Sequence, residues 1–194
     1  MSYAEKLYKA IMLDVEFYEA VEADKSLTKQ AMMTVALVAI VEGFVIAAGI
    51  TEFTDFALGA LGSILRWVVW AFFVAFFGTR ILPEPETDPN TGELLRTLGF
   101  AYAPGLLLIF ESVPLINALP IFMIVYFLQL AAMTVAARQA LDFSSTVRAV
   151  GTCIVAFIIM TITLELLMFF SDFVYTVATN ASPASALPNP KMEV

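Results

Sequence analysis

Five apolar runs, at about 30–50, 57–79, 94–113, 118–138 and 148–170, take up most of this 194-residue chain. Each is close to the ~20 residues an α-helix needs to cross a ~30 Å hydrocarbon layer. In hydrocarbon every backbone N–H and C=O must find a partner inside the segment, which leaves helices as the form for such runs. The expected fold is therefore all-α: a polytopic membrane bundle of five transmembrane helices preceded by a short amphipathic helix. Composition agrees, with 60% of residues hydrophobic and 14% charged, well outside the soluble range. Pro114 and Pro120 blur the start of the fourth run, so a re-entrant hairpin over 94–138 is the alternative to two full crossings.

Three segments follow from this reading: an amphipathic and acidic amino-terminal segment at 1–29, a five-helix domain at 30–170 and a flexible tail at 171–194. Ser2-Tyr3-Ala4-Glu5 has the form of a capping box, and Tyr3, Leu7, Ile11 and Val15 repeat every four residues beside Tyr8 and Met12. The helix they define is expected at the cytoplasmic interface, with packing on the bundle or a partner as the alternative, because Lys6 and Lys9 are its only basic residues. Glu16, Glu19 and Glu22 then share one helical face, read as solvated, with divalent-cation binding as the alternative. The segment lacks the features of a cleavable signal, so the first span is expected to direct insertion. At the far end, Pro183, Pro188 and Pro190 mark a disordered tail, in which Asn180-Ala181-Ser182 is a chance glycosylation sequon.

Basic residues set the expected orientation. Lys6, Lys9, Lys25 and Lys29 precede the first span, Arg80 and Arg96 flank the second connector, and Arg138 and Arg148 flank the fourth. The turns around 51–56 and 111–120 hold no Lys or Arg, and the tail has only Lys191. A cytoplasmic amino terminus and an external carboxyl terminus follow, and that parity requires an odd number of spans.

The formal charge of −8 argues against a nucleic-acid partner. Histidine is absent and Cys153 is the only cysteine, which removes the usual haem ligands, imidazole zinc sites, intrachain disulfides and Cys–His catalysis. Phosphate loops, serine-hydrolase elbows and histidine-dependent metalloprotease motifs are also missing from the sequence. No enzymatic activity and no cofactor are expected.

The polar residues inside the runs carry what chemistry there is. Glu42 falls about twelve residues into the first run and Arg66 about nine into the second, so in antiparallel helices both reach a similar central depth. An unpaired charge there costs roughly 2.5–3.5 kcal/mol on insertion scales, so each needs a partner. The expected use is a structural ion pair between adjacent helices; a contact to another subunit and a transport or proton-relay site are the alternatives. Pro104 should kink the third span with help from Gly99 and Gly105, leaving the carbonyl of Phe100 without its donor. Glu111 and Glu165 are expected at the outer ends of the third and fifth spans, and Gln129 and Tyr126 in hydrogen bonds across the bundle. Trp67 and Trp70 are packing residues, while Gly43, Gly49, Gly59 and Gly62 should let helices approach closely.

Gly78-Thr79-Arg80-Ile81-Leu82-Pro83, the segment GELLRTLGFAYAPGLL from Gly92 to Leu107, and RQALDFSSTVRAV from Arg138 to Val150 together resemble the prokaryotic branch of the Yip-domain membrane family. The stretch from Leu13 to Met32 is similar to that branch as well, so the resemblance covers nearly everything before the tail. It implies a five-span bundle with a cytoplasmic amino terminus, and it marks Arg80, Arg96, Arg138, Gln139 and Asp142 as a cytoplasmic-side motif. For eukaryotic relatives it implies vesicle trafficking and binding of Rab-type GTPases. This chain has neither the long amino-terminal domain nor the Asp-Leu-Tyr-Gly-Pro motif of that branch, so Rab binding does not transfer. Glu42 and Arg66 depart from the prokaryotic pattern, which is apolar or small there.

The expected function is a non-enzymatic membrane scaffold or accessory subunit, embedded in the lipid bilayer and contacting another membrane protein or itself. The alternative is a small transporter or channel built on Glu42, Arg66 and the broken third span.

Overall fold

A computed structural model of the chain describes residues 1–47, 53–85, 87, 90–113 and 119–180. Among these, every regular element is helical: α1 (Tyr3–Ile11), α2 (Val15–Ala23), α3 (Thr28–Ala47), α4 (Phe53–Phe76), α5 (Thr91–Ala101), α6 (Ile121–Ala140) and α7 (Thr146–Asn180). Shorter turns extend three of them: a 3₁₀ turn Lys25–Leu27 before α3, a π turn Phe77–Ile81 after α4, and a 3₁₀ segment Ala103–Ser112 after α5. Gly49, Pro114, Ala181 and Ser182 of the sequon and the proline-rich tail lie outside the described residues, as do parts of the 51–56 and 111–120 turns.

The capping box forms as read: the amide of Glu5 donates to Ser2 Oγ at 3.2 Å and the amide of Ser2 to Glu5 Oε2 at 2.6 Å. The four-residue repeat does not continue to Val15, however. Leu13 takes a left-handed φ of 60°, its amide reaching the carbonyl of Ala10 at 3.2 Å and that of Asp14 the carbonyl of Lys9 at 3.0 Å. These two bonds are the Schellman pattern that closes a helix. Asp14 then accepts from the amide of Phe17 at 3.0 Å, capping α2, so Val15 opens a second helix.

Both short helices belong to the main core. Ala10, Phe17, Tyr18 and Val21 are buried, Phe17 meets Phe100 edge-on at 5.3 Å, and Tyr3 Oη lies 2.9 Å from Thr34 Oγ1. Burial of large apolar side chains stabilises such docking by about 1.5–3 kcal/mol each. Tyr3, Leu7 and Ile11 pack on the bundle, while Tyr8 and Met12 stay exposed. This corrects the expectation of a helix whose apolar stripe faces the headgroups.

Five helical stretches are long and apolar enough to cross a membrane: Lys25–Val45, Phe53–Ile81, Thr91–Ser112, Ile121–Ala140 and Thr146–Thr179. The third and fourth are each long enough to cross alone, as two full crossings require and a shared hairpin does not. The third is central, with 67% of its most apolar window buried, and the fifth is peripheral, with 17%. α7 also runs to Asn180, past residue 170 where the apolar run was read to stop. Ser171-Asp172 looked like an end, but Phe173-Val174-Tyr175 resumes the apolar pattern with no glycine or proline to stop the helix.

Candidate functional site

α3 and α4 approach so closely at Gly43 that a Cβ there would lie 2.7 Å from the carbonyl oxygen of Phe56 and 3.1 Å from Ala60 Cβ. That contact brings Glu42 and Arg66 together as a salt bridge, with Glu42 only 4% exposed and Arg66 23%. Arg66 also donates to Tyr102 Oη at 3.3 Å, and its guanidinium lies 5.9 Å from the centre of the Tyr126 ring. Tyr102 Oη in turn donates to the carbonyl of Ser63 at 3.3 Å. Tyr126 therefore serves through its ring face rather than through the hydrogen bond expected of it. Glu42 Oε1 is buried without a hydrogen-bond partner among the described residues.

The third span breaks where Pro104 requires, yet differently from a simple kink. α5 stops at Ala101 and the chain continues in 3₁₀ geometry, in which Pro104 withholds its donor from the carbonyl of Ala101 rather than from that of Phe100. The carbonyl of Phe100 accepts from the amide of Tyr102. The carbonyl of Tyr102 accepts from the amide of Gly105 at 3.0 Å and from Gln129 Nε2 at 3.3 Å, so Gln129 does bond across the bundle. Gly99 and Gly105 act as close-approach points: a Cβ on Gly99 would lie 3.0 Å from Ala31 Cβ, and one on Gly105 2.5 Å from Val38 Cγ1. Trp67 donates to the carbonyl of Leu98 at 3.3 Å, and Trp70 packs edge-on against Phe157 at 5.4 Å, both as interior residues.

Beyond Trp70 and Phe157, α4 and α7 separate. A cleft of about 790 Å³ opens between them, with Tyr126 of α6 contributing to its wall. Its lining is mainly apolar, and Arg66 and Ser63 stand among Leu58, Leu164 and Met168. Gly62 faces this space, and a methyl group in place of its hydrogen would meet no atom within 4 Å, so it makes no close helix contact, contrary to expectation; Gly59 is buried. As second and fifth members of an up-and-down bundle, α4 and α7 run antiparallel. About two turns outward from the Trp70–Phe157 contact, roughly 12 Å at 1.5 Å per residue, Gly62 therefore lies level with Glu165. Glu165 is accordingly about one turn from Arg66, not at the end of α7. Asp55 and Glu165 both line the cleft, and neither is paired with a cation among the described residues.

The charged end of the bundle gathers the segment 78–83, the start of α5 and the turn after α6, with Arg148 Nη1 donating to the carbonyls of Leu82 at 3.4 Å and Pro83 at 2.8 Å. Arg96, 3% exposed, donates through Nε to the carbonyl of Val21 at 3.0 Å, through Nη2 to that of Glu22, and through Nη1 to that of Gly92 at 3.2 Å. After α6, the amide of Phe143 reaches the carbonyl of Arg138 and that of Asp142 the carbonyl of Gln139, both at 2.9 Å. This second Schellman turn places Asp142 in the left-handed region, φ 51°. Arg138 Nε donates to the carbonyl of Phe143 at 3.3 Å, and Arg80 is exposed on the π turn. Glu84 accepts from the amide and hydroxyl of Ser144 at 2.8 and 2.7 Å and pairs with Arg148 at 3.1 Å. These bonds hold its carboxyl below the usual range. Partial burial of Glu22, reinforced by Asp142, Glu93 and Glu19 and opposed by Arg96, pushes its carboxyl up to about 7.

Sequence reasoning passed over Tyr102, Ser63 and Glu84, whose importance lies in neighbours distant along the chain. It also gave Glu111 no partner, whereas Glu111 Oε1 accepts from the amide of Phe122 at 2.9 Å and caps α6. Comparison of the chain with known protein families, curated proteins and solved structures finds no match.

Proposed function

We propose that this protein is a multi-pass integral membrane protein that acts, without enzymatic chemistry, as a scaffold or accessory subunit for another membrane protein or for further copies of itself. The observation that carries the reading is α7. It runs past Asp172 to Asn180 and exposes Phe173, Val174, Tyr175 and Val177 beyond the ~20 residues that a hydrocarbon layer would cover, an apolar surface that no other helix among the described residues covers. The Glu42–Arg66 pair supports the same reading, since a matched pair ties two helices together and needs no substrate. In this proposal Lys6, Lys9, Arg96 and Arg148 lie on the cytoplasmic side and the carboxyl terminus is outside. The resemblance to the prokaryotic Yip-domain branch is part of it, supported by the contact between two of its separated segments, where Arg148 donates to the carbonyls of Leu82 and Pro83.

Gentle transfer from native membranes into lipid nanodiscs, followed by mass determination, tests this reading. A stoichiometric partner or a defined homo-oligomer is expected; a lone monomer counts against it. A second reading, a small transporter or channel, draws support from the cleft beside Arg66 and the unpartnered Glu42 Oε1. Under that reading Glu42→Gln abolishes substrate flux in proteoliposomes while the folded protein persists.

A further inference from the structure

We infer that the cleft between α4 and α7 is a binding site for a lipophilic organic cation, an apolar or aromatic body bearing one positive charge. The inference goes beyond the scaffold reading and does not rest on it. A volume of about 790 Å³ falls within the ~300–1,000 Å³ typical of small-molecule sites. The lining is mainly apolar, which suits a greasy body.

Charge selects the class of ligand. Arg66 is the one basic residue lining the cleft, and the buried Glu42 carboxylate already neutralises it. Asp55 and Glu165 add two carboxylates on the cleft walls with no cation opposite them among the described residues. Asp55 sits in the first turn of α4, where the helix dipole favours an acid. Glu165 has no such support: it lies in the interior of the 35-residue α7, about one turn outward of Arg66. A carboxylate in an apolar wall attracts a counter-charge, and a cation with an apolar body meets both demands of the cleft at once. Tyr126 and Phe157 at the inner end add aromatic surface for the body of such a ligand. An anionic amphiphile would meet two like charges and an arginine already engaged.

The test uses the full chain in nanodiscs of zwitterionic lipid and two probes of matched size and opposite charge, tetraphenylphosphonium and tetraphenylborate. Saturable binding of radiolabelled tetraphenylphosphonium is expected, without competition from tetraphenylborate. Glu165→Gln should weaken it about tenfold or more. Gly62→Phe, which projects a ring into open space, should abolish it while leaving thermal stability close to wild type. Gly62→Phe also keeps the test decisive where Glu165→Gln fails to fold. Absence of saturable cation binding overturns the proposal, leaving membrane lipid as the occupant. So does saturable binding of tetraphenylborate, which would assign the cleft to Arg66 and an anion.

Discussion

Arg96 Nε donates to the carbonyl oxygen of Val21 across 3.0 Å, so a buried guanidinium on α5 closes the last turn of α2. The same side chain reaches the carbonyl of Glu22, placing a cation at a helix carboxyl end where the dipole favours it. Arg96→Met should strand both carbonyls and cost roughly 3 kcal/mol. Arg96→Lys should recover only part of that, because an ammonium lacks the planar fork. Thermal unfolding in detergent, with limited proteolysis after α1 and α2, checks both.

The Glu42–Arg66 pair makes its own prediction. Glu42→Gln or Arg66→Met leaves a buried charge alone and should destabilise the fold by about 3–5 kcal/mol. Glu42→Arg combined with Arg66→Glu should be more stable than either reversal alone, read by unfolding midpoints in one detergent. A double variant no better than the singles would count against the pair as a structural tie.

Glycine position should sort two identical substitutions. A Cβ at Gly105 would lie 2.5 Å from Val38 Cγ1 and 2.8 Å from Gln129 Nε2, both side chains fully buried. Gly105→Ala should therefore cost about 1–3 kcal/mol. Gly62→Ala meets open space and should be neutral or stabilising by up to ~1 kcal/mol through helix propensity. Equal effects in unfolding assays would refute the distinction.

Glu22 makes stability depend on pH. Its native pKa of about 7 stands above the ordinary 4.5, so the native state binds this proton more tightly than the unfolded chain. The resulting stabilisation is full below pH ~4.5 and lost as pH rises through about 7. Stability should therefore fall between about pH 4.5 and about pH 7 and level off above it. Glu22→Gln should flatten the fall, and Asp142→Asn should shrink it by removing a facing negative charge. Glu84, held low by Ser144, acts in the opposite sense and below this window. Unfolding midpoints across pH in the three proteins provide the check.

Much of the fold was legible because hydropathy is a local signal that bundle packing reinforces. The spans, the first capping box and the meeting of Glu42 with Arg66 could all be read this way. What could not be read has another cause. Leu13 ends α1 in a conformation unusual for leucine, and only the competing cap at Asp14 explains it. Gln129 serves Tyr102, and Arg96 serves Val21, across distances along the chain that no spacing rule covers. The cleft was invisible because it depends on two helices parting, a property of the assembled bundle.

The length of α7 constrains how it sits in a membrane. Its spanning stretch is 34 residues, ~51 Å at 1.5 Å per residue, but Arg148 near its start is paired with Glu84 and Asp172 interrupts it near its end. The apolar part between those two charges, 149–171, is ~35 Å long, and a tilt of about 30° would fit it to a ~30 Å hydrocarbon layer. The last two turns, from Asp172 onward, would then stand clear of the hydrocarbon. They would carry the exposed Phe173 and Tyr175 into the headgroup region, where aromatic rings anchor a helix against sliding along the membrane normal.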